Sequence, residues 1–117
     1  MLFFFFLQID FLNVQFYNQG ANYYDYNSIY VNSGNTFPDS AVSDYPEAMQ
    51  KVTLLGKPML PQYAGNGYNT SSQINTINRQ AQSSGYYHGV MTWEFPNQQP
   101  NVKSFLASWV QTVTSGV

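Results

Sequence analysis

The sequence predicts an α/β fold with parallel strands, and three observations carry the prediction. Apolar runs of strand length occupy residues 9–18, 52–60 and 89–93. Helical patterns fall between and after them, giving the order strand, loop, helix, strand, helix, strand, helix that β-α-β crossovers impose on a parallel sheet. The first run, Ile-Asp-Phe-Leu-Asn-Val-Gln-Phe-Tyr-Asn, also lacks clean alternation, as expected of a strand covered on both faces.

Gln15, Tyr17 and Asn18 end that first run, where α/β folds collect ligand-binding groups. The Tyr-, Asn- and Gly-rich stretch 19–40 then reads as a long loop. Of its Tyr23, Tyr24, Tyr26 and Tyr30, one or two are expected to line a groove and the others to pack the loop down.

Residues 41–51 read as a short helix, with Ser40 or Ser43 as N-cap, Pro46 in a first turn, and Ala48, Met49 and Val52 available for burial. In the second strand, the Gly56-Lys57-Pro58 interruption belongs near an end or a bulge. Lys57 is expected to reach solvent and is not read as a catalytic base.

After the 61–68 loop, Thr70-Ser71-Ser72-Gln73 fits a capping box. Ile74, Ile77 and Ala81 follow at helical spacing, and Gly85 suits a left-handed stop. Asn69-Thr70-Ser71 is a glycosylation sequon, informative only for a secreted chain. Trp93 ends the third strand. His88 reads as a strand-entry residue, since a lone His makes a poor metal site. Residues 102–113 form the last helix, with Phe105, Leu106, Trp109, Val110 and Val113 as an apolar stripe in which Trp109 is core.

Val-Gln-Phe-Tyr-Asn at 14–18, followed far downstream by Gly-Val-Met-Thr-Trp at 89–93, resembles the sixth and eighth strands of family 18 glycoside hydrolases, the chitinase-type (β/α)₈ barrels. The likeness is best with the class III type and covers most of the chain after residue 9. It implies the C-terminal portion of a TIM barrel, strands six to eight with their helices, in an incomplete barrel spanning residues 1–117. A whole barrel takes about 250 residues.

The same resemblance implies an enzyme class that cleaves β-1,4-linked N-acetylglucosamine polymers by substrate-assisted catalysis, the substrate's own N-acetyl oxygen attacking the anomeric carbon. Tyr17 matches the residue whose hydroxyl binds the acetamido oxygen. Gln15 matches a polar partner at that subsite, Asn18 a strand-end Asn or Asp, and Trp93 the aromatic floor beneath the reacting sugar. The family's acid, a Glu closing an Asp-x-x-Asp-x-Asp-x-Glu motif, has no counterpart in these residues. Glu94 is not a substitute, because the family takes no acid from this strand. The chain alone is therefore expected to be inactive and to fold poorly, with the remaining barrel as a partner and an extracellular location implied.

Two other classes fit less well: a non-catalytic glycan-binding remnant, and a self-associating protein suggested by the Asn/Gln/Tyr-rich loop. A net charge of −2 with 4 basic residues argues against nucleic acid and anionic membranes. With 9% charged and 18% aromatic residues, the composition suits neutral sugars. No cofactor or metal is expected, and the absence of cysteine rules out disulfides and thiolate metal sites. Residues 2–7 are apolar but too short for a signal-peptide core or a membrane span. Residues 1–8 read either as a truncated or mis-started beginning of the first strand's segment or as a structural extension of that strand.

Overall fold

The computed structural model describes residues 9–20 and 22–117, so the expected truncated start at 1–8 lies outside the described residues. Strands β1 (Leu12–Gln15), β2 (Thr53–Pro58) and β3 (Val90–Trp93) form one parallel sheet in the order β1-β2-β3. Val14 pairs with Leu55, and Leu55 with Val90. Because side chains alternate along a strand, this row faces one way together with Phe16. Helices α2 (Ser71–Ser83) and α3 (Val102–Val113) supply its cover through Ile74, Ile77, Ala81, Trp109 and Val113.

Among the described residues the other face is uncovered along β1. Phe11 is 58% exposed, and Asn13 and Gln15 are exposed beside it. The expectation of a TIM-barrel portion is therefore corrected: the protein is a small α/β domain with an open three-stranded sheet. Barrel strands pair on both edges and are covered on both faces. Among the described residues, β1 and β3 each pair only with β2. The physical reason is closure, since a cylinder needs the tilt and shear accumulated over about eight strands. The expected double cover of the first strand fails with it.

Within the loop after β1, a π-helix at Asn27–Val31 replaces the expected irregular chain. Asp25 Oδ1 accepts from the Ser28 backbone N–H at 2.8 Å and anchors the turn. Burial of Ile29 and Tyr30 holds it down, with Tyr30 stacked against Tyr26 and Tyr86.

The expected helix over 41–51 splits into a 3-10 turn at Val42–Asp44 and a short α1 (Glu47–Gln50). Pro46 is the cause, because the residue before proline avoids the helical region, and Tyr45 is extended at ψ 153°. Ala48 is exposed as a result. The start of α2 forms as read, with Thr70 accepting from Gln73 N and Gln73 reaching back to Thr70 N. Gly85 adopts φ +80° just beyond its end. On α3, Val110 turns outward at 51% exposure while Trp109 and Val113 are buried.

Candidate functional site at the carboxyl edge of the sheet

Register builds the site. Gln15 pairs with Gly56, Gly56 with Met91, and Pro58 with Trp93. Gln15, Gly56 and Met91 thus form one row on the face opposite the helices, and Trp93 stands one row further toward the carboxyl edge. The ladder extends past β1 through the Phe16 N–H, which donates to Gly56 O at 3.0 Å. Phe16 points into the core, so Tyr17 returns to the Gln15 face by alternation. The sheet brings Gln15, Tyr17 and Trp93 to one end of one face.

Trp93 is 46% exposed. Its backbone is held by a bond from Met59 N to Trp93 O of 2.7 Å, and the Trp93–Glu94 peptide is cis. Glu94 and His88 are exposed. Neither meets a second carboxylate or imidazole in a metal-binding group among the described residues.

Tyr17 is buried, and among the described residues its hydroxyl meets no partner in hydrogen-bond geometry. Burial raises its pKa above the usual phenol value, and the neighbouring Gln15 side chain, which approaches without good hydrogen-bond geometry, offsets only part of this. The phenol is therefore a neutral donor with its capacity unspent. A buried polar group in that state is unfavourable by ~1–3 kcal/mol.

Asn18 is occupied differently. At φ +62° it turns the chain, its N–H donates to Asn66 O at 3.0 Å, and its Oδ1 accepts from Gly65 N at 2.8 Å. Asn18 is exposed, and its side-chain oxygen ties the end of β1 to the loop after β2.

Lys57 is the residue that sequence reasoning missed. It was expected to reach solvent, yet it is 1% exposed. Its Nζ donates to Phe16 O at 2.9 Å, to Gly67 O at 3.0 Å and to Tyr23 O. Burial lowers its pKa from 10.5 to about 7, against a smaller pull upward from Asp25. The available signal was a lone lysine inside the apolar run of the middle strand, where a charge must find partners.

No family model, curated protein or solved structure matches this chain. The site must accordingly be read from its own residues.

Of the loop tyrosines, Tyr23 and Tyr30 are buried, Tyr26 is half-buried, and Tyr24 is 41% exposed with its hydroxyl accepting from Gly67 N at 2.7 Å. Asn69 is buried and its Nδ2 donates to Tyr24 O at 3.0 Å, so the sequon asparagine is not available in the folded chain. A cavity of about 230 Å³ opens beside Gln15, with Gln19, Tyr23, Phe37, Ser40 and Tyr45 among its walls. That is smaller than the ~300–1,000 Å³ of typical ligand clefts. An extended ligand would therefore lie along the surface edge, not inside. Chemically the arrangement offers an aromatic platform, an amide and a neutral phenol donor, with no carboxylic acid among these three.

Proposed function

We propose that this chain binds chitin-type glycans, β-1,4-linked N-acetylglucosamine oligomers, at the carboxyl edge of its sheet, and does not hydrolyse them by itself. The observation that carries the reading is the Tyr17 hydroxyl, buried and without a partner in hydrogen-bond geometry among the described residues, beside Gln15 and on the same face as the exposed Trp93. An acetamido carbonyl is an acceptor of the right kind for that hydroxyl, which is closed to solvent in the free chain and is uncovered as the glycan seats. The amide of Gln15 serves the same substituent, and the indole of Trp93 stacks on the C–H face of the sugar.

The likeness of 14–18 and 89–93 to chitinase-type strands supports this substrate class. Asn18 contributes by shaping the edge, because its side-chain oxygen is already engaged. In such hydrolases the substrate's N-acetyl group is the nucleophile, and these residues would position it. Expulsion of the leaving oxygen needs a positioned acid, and its lack forfeits roughly 10²- to 10⁴-fold in rate. Hydrolysis would require that acid from elsewhere. An extracellular location follows from the substrate, and no nucleic acid or membrane partner is invoked.

Isothermal titration of the purified chain with the N-acetylglucosamine tetramer tests the reading. Weak binding is expected, lost in Trp93→Ala, with no reducing ends released. Absence of binding, or binding indifferent to Trp93→Ala, overturns it, as does appreciable turnover for the non-hydrolytic half of the claim.

A further inference from the structure

The buried amine of Lys57 sits directly behind the sugar-facing edge and joins three segments of chain. One acceptor is the carbonyl of Phe16, immediately before Tyr17; the others are Tyr23 O in the loop after β1 and Gly67 O in the loop after β2. An ammonium has three donors, one for each carbonyl.

Gly67 is itself pressed onto Tyr17, since a Cβ built on Gly67 would stand 2.5 Å from Tyr17 Cα and 2.7 Å from its Cβ. The Tyr24 hydroxyl accepts from Gly67 N–H, so this glycine is gripped through both its carbonyl and its amide. On the far side of Tyr17, Asn18 is tied to Asn66 and Gly65. The residues on both sides of Tyr17 are thus tied to other segments, while its own hydroxyl meets no partner in hydrogen-bond geometry among the described residues.

We infer that Lys57 is a positioning residue for the glycan site: by holding the carbonyls of Phe16, Tyr23 and Gly67 together it sets the direction of the Tyr17 hydroxyl. Lys57 touches no sugar. It acts through Tyr17, with Tyr24 as the outer half of the clamp. The affinity consequence rests on the glycan-binding reading above; the effect on Tyr17 itself does not.

Two readouts separate them, both at about pH 6, where the amine carries its proton. In sugar-free protein, the NMR ring signals of Tyr17 report its placement. They should shift or broaden in Lys57→Met, and by less in Lys57→Gln, which keeps two N–H donors, and in Tyr24→Phe, which releases only the Gly67 amide. For the N-acetylglucosamine tetramer, Lys57→Met should weaken binding about tenfold, in the range of coupling for residues sharing one network.

In a Tyr17→Phe background the same substitution should weaken it by less than about twofold, because a residue acting through a hydroxyl has nothing to act on once the hydroxyl is gone. Equal losses in both backgrounds would assign Lys57 a merely structural role and overturn the inference. If Lys57→Met does not fold, Lys57→Gln and Tyr24→Phe carry the same comparison. If the native chain binds no sugar, the functional reading fails. The inference is then judged on the Tyr17 signals, and unmoved signals overturn it.

Discussion

Gly67 packs so tightly against Tyr17 that a Cβ at position 67 would lie 2.5 Å from the Tyr17 Cα, and Gly67 holds φ +86°. Both facts demand glycine, the first through space and the second through backbone conformation. Gly67→Ala is expected to destabilise the fold by roughly 1–3 kcal/mol, read as a lower urea midpoint. Gly65→Ala, whose nearest neighbour is the Asn18 side chain at 3.6 Å, should change the midpoint far less. Equal effects at the two glycines would contradict the packing argument.

Tyr17→Phe separates function from stability. The hydroxyl has no partner in hydrogen-bond geometry among the described residues, so its removal eliminates a desolvation penalty and should leave stability unchanged or raise it by up to ~1 kcal/mol. Affinity for the N-acetylglucosamine tetramer should fall by about five- to tenfold, the worth of one hydrogen bond. A destabilised Tyr17→Phe would show that the hydroxyl has an internal partner after all.

The pH profile of stability should rise and then fall. Lys57 loses its proton near pH 7 in the folded chain and at its ordinary 10.5 in the unfolded one, chiefly because burial disfavours the ammonium. Between those values the unfolded chain binds more protons, so stability increases with pH. Tyr45 opposes this at higher pH, where burial, followed by Tyr23 and Asp44, raises its phenol from 10.0 to about 12. The folded chain keeps that proton longer, so stability falls from about pH 10 to 12. Urea unfolding should therefore show a maximum near pH 10, and Lys57→Met should abolish the rise while keeping the fall. A native profile that is flat from pH 7 to 10 would exclude this assignment.

The capping box gives a local test. Thr70→Ala removes the acceptor for Gln73 N and should reduce stability by about 1 kcal/mol. The effect should appear as faster amide exchange in the first turn of α2. No change in exchange there would mean that tertiary packing alone sets the helix start.

What was readable in the sequence was local. The capping box, the glycine stop after α2 and the burial of Ile74, Ile77, Ala81 and Trp109 follow from spacing and side-chain chemistry within one turn or one face. Each strand lay within its apolar run for the same reason, although β1 begins at Leu12 and not at residue 9. Pro46 was legible as a helix-starting residue, and its equally local effect on Tyr45 was overlooked.

The site divides in the same way. Gln15, Tyr17 and Trp93 were candidates from residue type and position. Their meeting at one end of one face depends on the pairing of Gln15 with Gly56 and of Pro58 with Trp93. The engagement of Asn18 by Gly65 crosses 47 positions, and that of Lys57 by Phe16 crosses 41. No periodicity carries such contacts.

The sequence by itself therefore determined the three strands and the two long helices, their order and the residue types available at the strand ends, because these follow from backbone sterics and short-range burial. Only the tertiary structure decided that the sheet stays open, that Lys57 turns inward, and that Tyr17 is left with an unspent hydroxyl. Those outcomes depend on which distant carbonyls and amides arrive at the same place, and a buried polar group takes its character from the partners that do or do not reach it.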